Sequence, residues 1–151
     1  MNYQISEASL TDIPDLIGLL YELFSIEKDF TPDKAKQERG LALIIANSEQ
    51  GVIKVARDNF GKVIAMVSAQ LVISTAQGAR SAWVEDMVVS KSSRNAGIGK
   101  ALLQSALDWA KAKGATRAQL LVDTENDPAI GYYHHLGWES TQLQARRIFL
   151  T

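Results

Sequence analysis

The sequence predicts an α/β chain: a mixed, mostly antiparallel central sheet with helices on both faces. Three observations predict it. β-type runs at 52–57, 62–73 and 81–89 are separated by short polar turns, Asp58-Asn59-Phe60-Gly61 and Gln77-Gly78-Ala79-Arg80, and such turns join antiparallel neighbours. Apolar residues at helical spacing flank those runs on both sides. A strand–helix–strand succession over 81–122 makes a parallel, right-handed crossover. The order β-α-α-β-β-β-α-β-α-β, without repeat or linker, reads as a single domain, 1–151.

The elements follow in order. Tyr3-Gln4-Ile5 is a short first strand. Thr11 or Asp12 caps a helix entered through Ile13-Pro14-Asp15, with Leu16, Leu19, Leu20, Leu23 and Phe24 on its apolar face. Glu27 to Pro32 is a loop. Pro32 and Asp33 open a second helix with Leu41, Ile44 and Ile45 inward, and Asn47 to Gly51 ends it. After the three strands, Leu102, Leu103, Ala106, Leu107 and Ala110 mark a third helix, closed by Lys111, Lys113 and Gly114. Ala118 to Val122 is the next strand. Asp127-Pro128 opens a last helix that Gly137 ends, and Ala145 to Leu150 is a closing strand that could pair across a homodimer.

Bulk properties exclude several classes. At 151 residues the chain can bury a real core. A net charge of −1 gives no reason to expect nucleic acid as a partner. No cysteine exists, so disulfides, thiolate metal sites and a cysteine nucleophile are ruled out. The two histidines, His134 and His135, are adjacent and do not share a helix face, so no metal is expected. The first residues lack a basic start and an apolar run, and no apolar segment reaches membrane length. The expected location is therefore cytoplasmic, with no membrane partner.

Chemistry concentrates at Met87-Val88-Val89-Ser90-Lys91-Ser92-Ser93-Arg94-Asn95-Ala96-Gly97-Ile98-Gly99-Lys100, a strand, a polar turn and a helix start. Two glycines permit close backbone approach and positive φ. The N-terminal amides and dipole of the helix make an anion site, most often for phosphate. Lys91, Arg94 and Lys100 add full charges. A Walker A loop is excluded because Ala101 follows Gly99-Lys100, and a dinucleotide fingerprint because Leu102 fills its last glycine position.

What remains, an apolar strand ending in Val-Val, then Arg-x-x-Gly-x-Gly, then an amphipathic helix, resembles the acetyl-CoA loop of the GNAT-type N-acetyltransferase superfamily. The segment Asn126 to Trp138 resembles the second half of that family's pattern: an asparagine, Ala-Ile, an apolar-Tyr pair and a Leu-Gly-aromatic ending. The match runs from the strand before the glycine loop to Trp138. The N-terminal helices match only in layout.

The resemblance implies an N-acetyltransferase moving an acetyl group from acetyl-CoA to a primary amine by direct attack in a ternary complex. It implies cofactor contacts along Met87, Val88, Val89, Arg94, Asn95, Ala96, Gly97, Ile98, Gly99 and Lys100, with Asn126 on the pantetheine arm. Asn95 stands where relatives often carry glycine, and asparagine tolerates left-handed φ. Arg94 and Lys100 as phosphate contacts compete with plain surface charge, and Asn126 with an ordinary helix cap. The family's catalytic tyrosine falls on Tyr133, also a cofactor contact. A phenol of pKa about 10 can protonate a departing thiolate whose thiol has a pKa of about 8.5. Against it stands a tyrosine that only packs, the reading that fits its neighbour Tyr132. Glu85 is the candidate base, needed because an alkylamine with a pKa of about 10 is protonated at neutral pH. Asp86 is the alternative, since successive strand residues face opposite ways.

Glu22, Glu27, Asp29, Asp123 and Glu125 either line a groove for a cationic amine or are simply solvated. Two other functions compete: a non-catalytic acyl-CoA sensor or interaction domain, and a binder of some other phosphate ligand.

Overall fold

The computed structural model describes residues 2–26, 32–94 and 96–150. These form two compact units, one up to residue 120 and one from 121 onward.

The first unit holds five strands: β1 (Gln4–Glu7), β2 (Gly51–Arg57), β3 (Val63–Ser74), β4 (Ala79–Val89) and β5 (Ala115–Leu120). They lie side by side in chain order. β1 to β4 pair antiparallel, and β4 with β5 pairs parallel. The predicted mixed, mostly antiparallel sheet is therefore present. Its first, second, third and fourth strands fall within a few residues of their predicted places. β5 begins three residues earlier than expected and stops at Leu120.

Three helices cover this sheet: α1 (Ile13–Ile26), α2 (Lys34–Ala46) and α3 (Ile98–Ala112). α1 and α2 lay Leu16, Leu19, Leu20 and Leu41 on Ile53, Val55, Val63, Met66 and Val88. α3 covers the opposite face, where Leu71 and Ala82 meet Ala110 and Trp109. Because β3 is covered on both faces, its first seven residues are all buried and lose the alternation of a half-exposed strand.

The entry to α1 differs in part from expectation. Asp12 is the residue immediately before α1, as expected, but it also ends a preceding turn. That 3-10 turn covers Leu10–Asp12, with Ser9 at its cap position. Asp12 accepts the Ser9 amide at 2.8 Å and a two-pronged contact from Arg57 at 2.7 and 2.8 Å, tying the helix entry to β2. Asp33 caps α2 as predicted by accepting the Lys36 amide.

The second unit contains α4 (Asp127–His135), opened by Asp127-Pro128 and ended at Gly137 with φ +96°. The expected closing strand is not formed: Ala145 to Leu150 carries no strand pairing and is exposed throughout. Its apolar run is β-like locally, but a strand exists only where a neighbour completes its ladder. Among the described residues, no helix is long and apolar enough to cross a membrane.

Candidate active site

β4 outruns its parallel partner. The last pair with β5 is Val84 with Leu120, yet β4 continues through Glu85, Asp86, Met87, Val88 and Val89. At about 3.3 Å per residue, that leaves about 16 Å of strand edge without a strand beside it among the described residues. The other edge of β4 remains paired with β3, but not evenly. Ser68 opposes Glu85 and Met66 opposes Val88, so Asp86 and Met87 together oppose Val67. This is a β-bulge, and Asp86 takes φ +55°, the only positive φ among described non-glycine residues. Aspartate is one of the few residues that accept this conformation at low cost.

The bulge begins immediately after Glu85, whose pairing with Ser68 is regular. Glu85 is exposed and Asp86 half-buried. The Glu85 carbonyl accepts Ser68 Oγ at 3.1 Å, and its carboxylate accepts Trp83 Nε1 at 2.5 Å. Sequence reasoning passed over Trp83. The available signal was its place two residues before Glu85, on the same face of the strand.

Beyond Val89 the chain turns through a 3-10 turn, Lys91–Ser93, in which Ser93 is buried. Its first amide, Lys91 N, donates to Glu22 at 3.4 Å. Arg94 is exposed and folds back so that Nε donates to the Val89 carbonyl at 3.1 Å. Asn95 lies outside the described residues, as do Glu27 and Asp29. Gly97 is the N-cap of α3 at φ +75°, and no side chain caps the helix. A Cβ at Gly97 would meet nothing within 4 Å, so space opens beside the amides that begin α3. Lys100 is exposed in the first turn. The side chains of Val88 and Ile98 are in the core, so only their main chain can meet a ligand. Ala96 and Gly97 are exposed, while Met87, Val89 and Gly99 are half-buried.

The helix start suits an anion. The open edge offers main-chain donors and acceptors, and the helix start offers amides and positive potential.

In the second unit, Asn126 Oδ1 accepts the Ala129 amide at 3.2 Å and caps α4. Tyr133 lies seven residues later, nearly two full turns, and so shares a face with Asn126. Its half-buried ring meets Tyr132 and Trp138 edge-on, with centroids 5.5 and 5.9 Å apart. Burial pushes the Tyr132 phenol up. Asp123 Oδ1 accepts the Glu125 amide at 2.9 Å within the turn before α4. Among the described residues, no cluster of three His, Asp or Glu side chains could hold a metal ion.

The chain is thus of α/β class, with a mixed sheet whose fourth strand carries a bulge, outruns its parallel partner and leads into a glycine-started helix. The match to known proteins makes this specific: residues 18–138 match the model of the acetyltransferase (GNAT) family, and the chain belongs to that family. An uncharacterized N-acetyltransferase of Methanocaldococcus jannaschii is 26% identical over 142 residues, 93% of this chain, and this chain spans only 62% of that relative's length. A streptothricin acetyltransferase of Streptomyces lavendulae is 38% identical over 63 residues, covering 38% of this chain and 33% of its own. Among solved structures, a possible acetyltransferase from Clostridium difficile superposes with a TM-score of 0.85 at 19% identity, covering 100% of this chain and 99% of its own. A predicted acetyltransferase from Clostridium acetobutylicum, solved with acetyl-CoA, gives 0.79 at 19% identity, covering 97% and 96%. The structural matches bear out the expected fold.

Proposed function

We propose that this chain is a single acetyl-CoA-dependent N-acetyltransferase domain that acetylates a primary amine by direct attack. One observation carries the reading: among the described residues the β4–β5 ladder ends at Val84, so β4 runs on to Val89 without a paired strand on that side and leads into the Gly97-started end of α3.

Acetyl-CoA supplies an activated thioester and a diphosphate that anchors it. The amides of residues 97–100, helped by Arg94 and Lys100, hold the diphosphate. The main chain of Met87 and Val89 pairs with the amides of the pantetheine arm, as a neighbouring strand would, and a main-chain N–H of the open edge polarises the thioester carbonyl. The nitrogen held by Arg94 on the Val89 carbonyl keeps the turn close to the strand. The family pattern assigns the pantetheine arm to Asn126, whose Oδ1 caps α4, so its amide nitrogen is the group it would offer.

Glu85 takes a proton from the ammonium group of the acceptor. The freed amine forms the N–C bond as the C–S bond breaks. Tyr133 gives its proton to the departing thiolate and regains one from the nitrogen, so one proton in all passes to solvent. The chain has no cysteine to carry an acyl group, which favours direct attack over an acyl-enzyme.

The test is thiol release from acetyl-CoA across a panel of polyamines, amino acids, aminoglycosides and peptide N-termini. Turnover with at least one amine, with acetylated product by mass, supports the reading. Tight acetyl-CoA binding without turnover would leave a sensor of acyl-CoA in its place.

A further inference from the structure

Glu85 sits at the last regular pair before the bulge, where β4 has already lost its partner on the β5 side. A glutamate on an exposed strand edge has three soft torsions and samples many rotamers. Here it is held at both ends: Ser68 Oγ donates to its carbonyl, and Trp83 Nε1 donates to its Oε1. Trp83 is itself on the fully paired part of the strand, opposite Gln70 on β3 and Gln119 on β5. Its indole is a donor only, so it can hold a carboxylate but cannot compete for the proton that the carboxylate receives. A carboxylate accepts about four hydrogen bonds, so one from the indole leaves room for an amine.

We infer that Trp83 is the positioning residue of the base: its indole N–H fixes the Glu85 carboxylate in one rotamer at the open edge of β4. The inference rests on the reading of Glu85 as base. Trp83 neither takes nor gives a proton in the reaction and acts only through Glu85.

Two measurements on the intact protein test it. Isotope labelling gives an indole N–H resonance for each of Trp83, Trp109 and Trp138, and Trp83→Phe assigns the first. That resonance shifts through a single step on acid titration, and Glu85→Gln abolishes the step. A Trp83 resonance indifferent both to acid and to Glu85→Gln overturns the inference, whatever the activity. In thiol release with the fastest amine of the panel, Trp83→Phe lowers kcat about tenfold with KM for acetyl-CoA nearly unchanged. The same change has no further effect in a Glu85→Ala background. An equal loss in both backgrounds marks a packing role and overturns the inference. Wild-type turnover by Glu85→Ala, or no turnover with any amine, removes the base reading and the positioning role with it. The indole titration still reports the contact, so the two failures stay distinct.

Discussion

Gly97→Val isolates the contribution of the loop backbone. Gly97 lies at φ +75° with open space where a Cβ would go, so the substitution meets no steric obstacle from neighbours. Its effect is local: a β-branched residue in left-handed backbone is strained by about 1–2 kcal/mol, which the turn relieves by swinging out of that conformation. The amides that follow then lose their aim. Losing two charge-assisted hydrogen bonds at about 1.5 kcal/mol each weakens acetyl-CoA binding by about a hundredfold. In a thermal shift at a concentration of about 100 times the wild-type Kd, the ligand adds about 2.7 kcal/mol. For a chain of this size that raises Tm by about 5–10 °C. In the variant the same concentration only equals Kd, and the shift falls to about 1 °C. Gly61→Val is the control, because Gly61 has φ +80° and equally open surroundings in the β2–β3 turn. It carries the same backbone strain and keeps the full ligand shift. A wild-type shift in Gly97→Val, or an equal loss in Gly61→Val, would refute the assignment of the diphosphate to this loop.

Three further outcomes are expected. Tyr133→Phe keeps the edge-on ring packing but lowers turnover by about a hundredfold or more, with acetyl-CoA affinity unchanged; wild-type turnover removes Tyr133 from the mechanism. Arg94→Ala raises the Kd for acetyl-CoA about tenfold, an effect that shrinks with added salt; a Kd insensitive to both makes Arg94 plain surface charge. Asp12→Ala lowers stability in urea by about 3 kcal/mol, the low end for a buried pair because the Arg57 side chain is 27% exposed; an unchanged midpoint contradicts this. The same pair sets an acid limit. The hydrogen bond from Arg57 holds the Asp12 carboxyl below its ordinary 3.8 despite desolvation, with the Ser9 amide helping. A lowered folded-state pKa means the contribution is complete above 3.8 and is lost as pH falls below it toward the folded value. Urea midpoints measured down through that range should fall more steeply for the wild type than for Asp12→Asn.

Most elements were legible because local pattern and tertiary burial agree. The leucines of α1 and the alanine–leucine face of α3 recur at helical spacing and are buried together. Asp33, Asn126, Gly97, Gly114 and Gly137 stop or start helices where their side chains or backbone freedom dictate. Tertiary context was not legible. β5 starts among Thr116 and Arg117, polar residues that look like loop but are tied down: Arg117 donates to Ser81 on β4 and to Ser74 at the end of β3. Ala145 to Leu150 has the composition of a strand and no ladder to join. At the site, the glycine loop and Tyr133 could be read from motif spacing. The bulge at Asp86 could not, because it depends on two residues of β4 facing one of β3. The hold of Trp83 on Glu85 was legible only as a shared strand face two residues apart; the hydrogen bond itself depends on the rotamers the two side chains take.

The most direct test is an amide-resolved titration of the labelled protein with coenzyme A. The amides of residues 85–89 and 97–100 should move first and furthest, saturating together at one Kd. Binding of coenzyme A that leaves both stretches unmoved and perturbs another surface would contradict the account at its root.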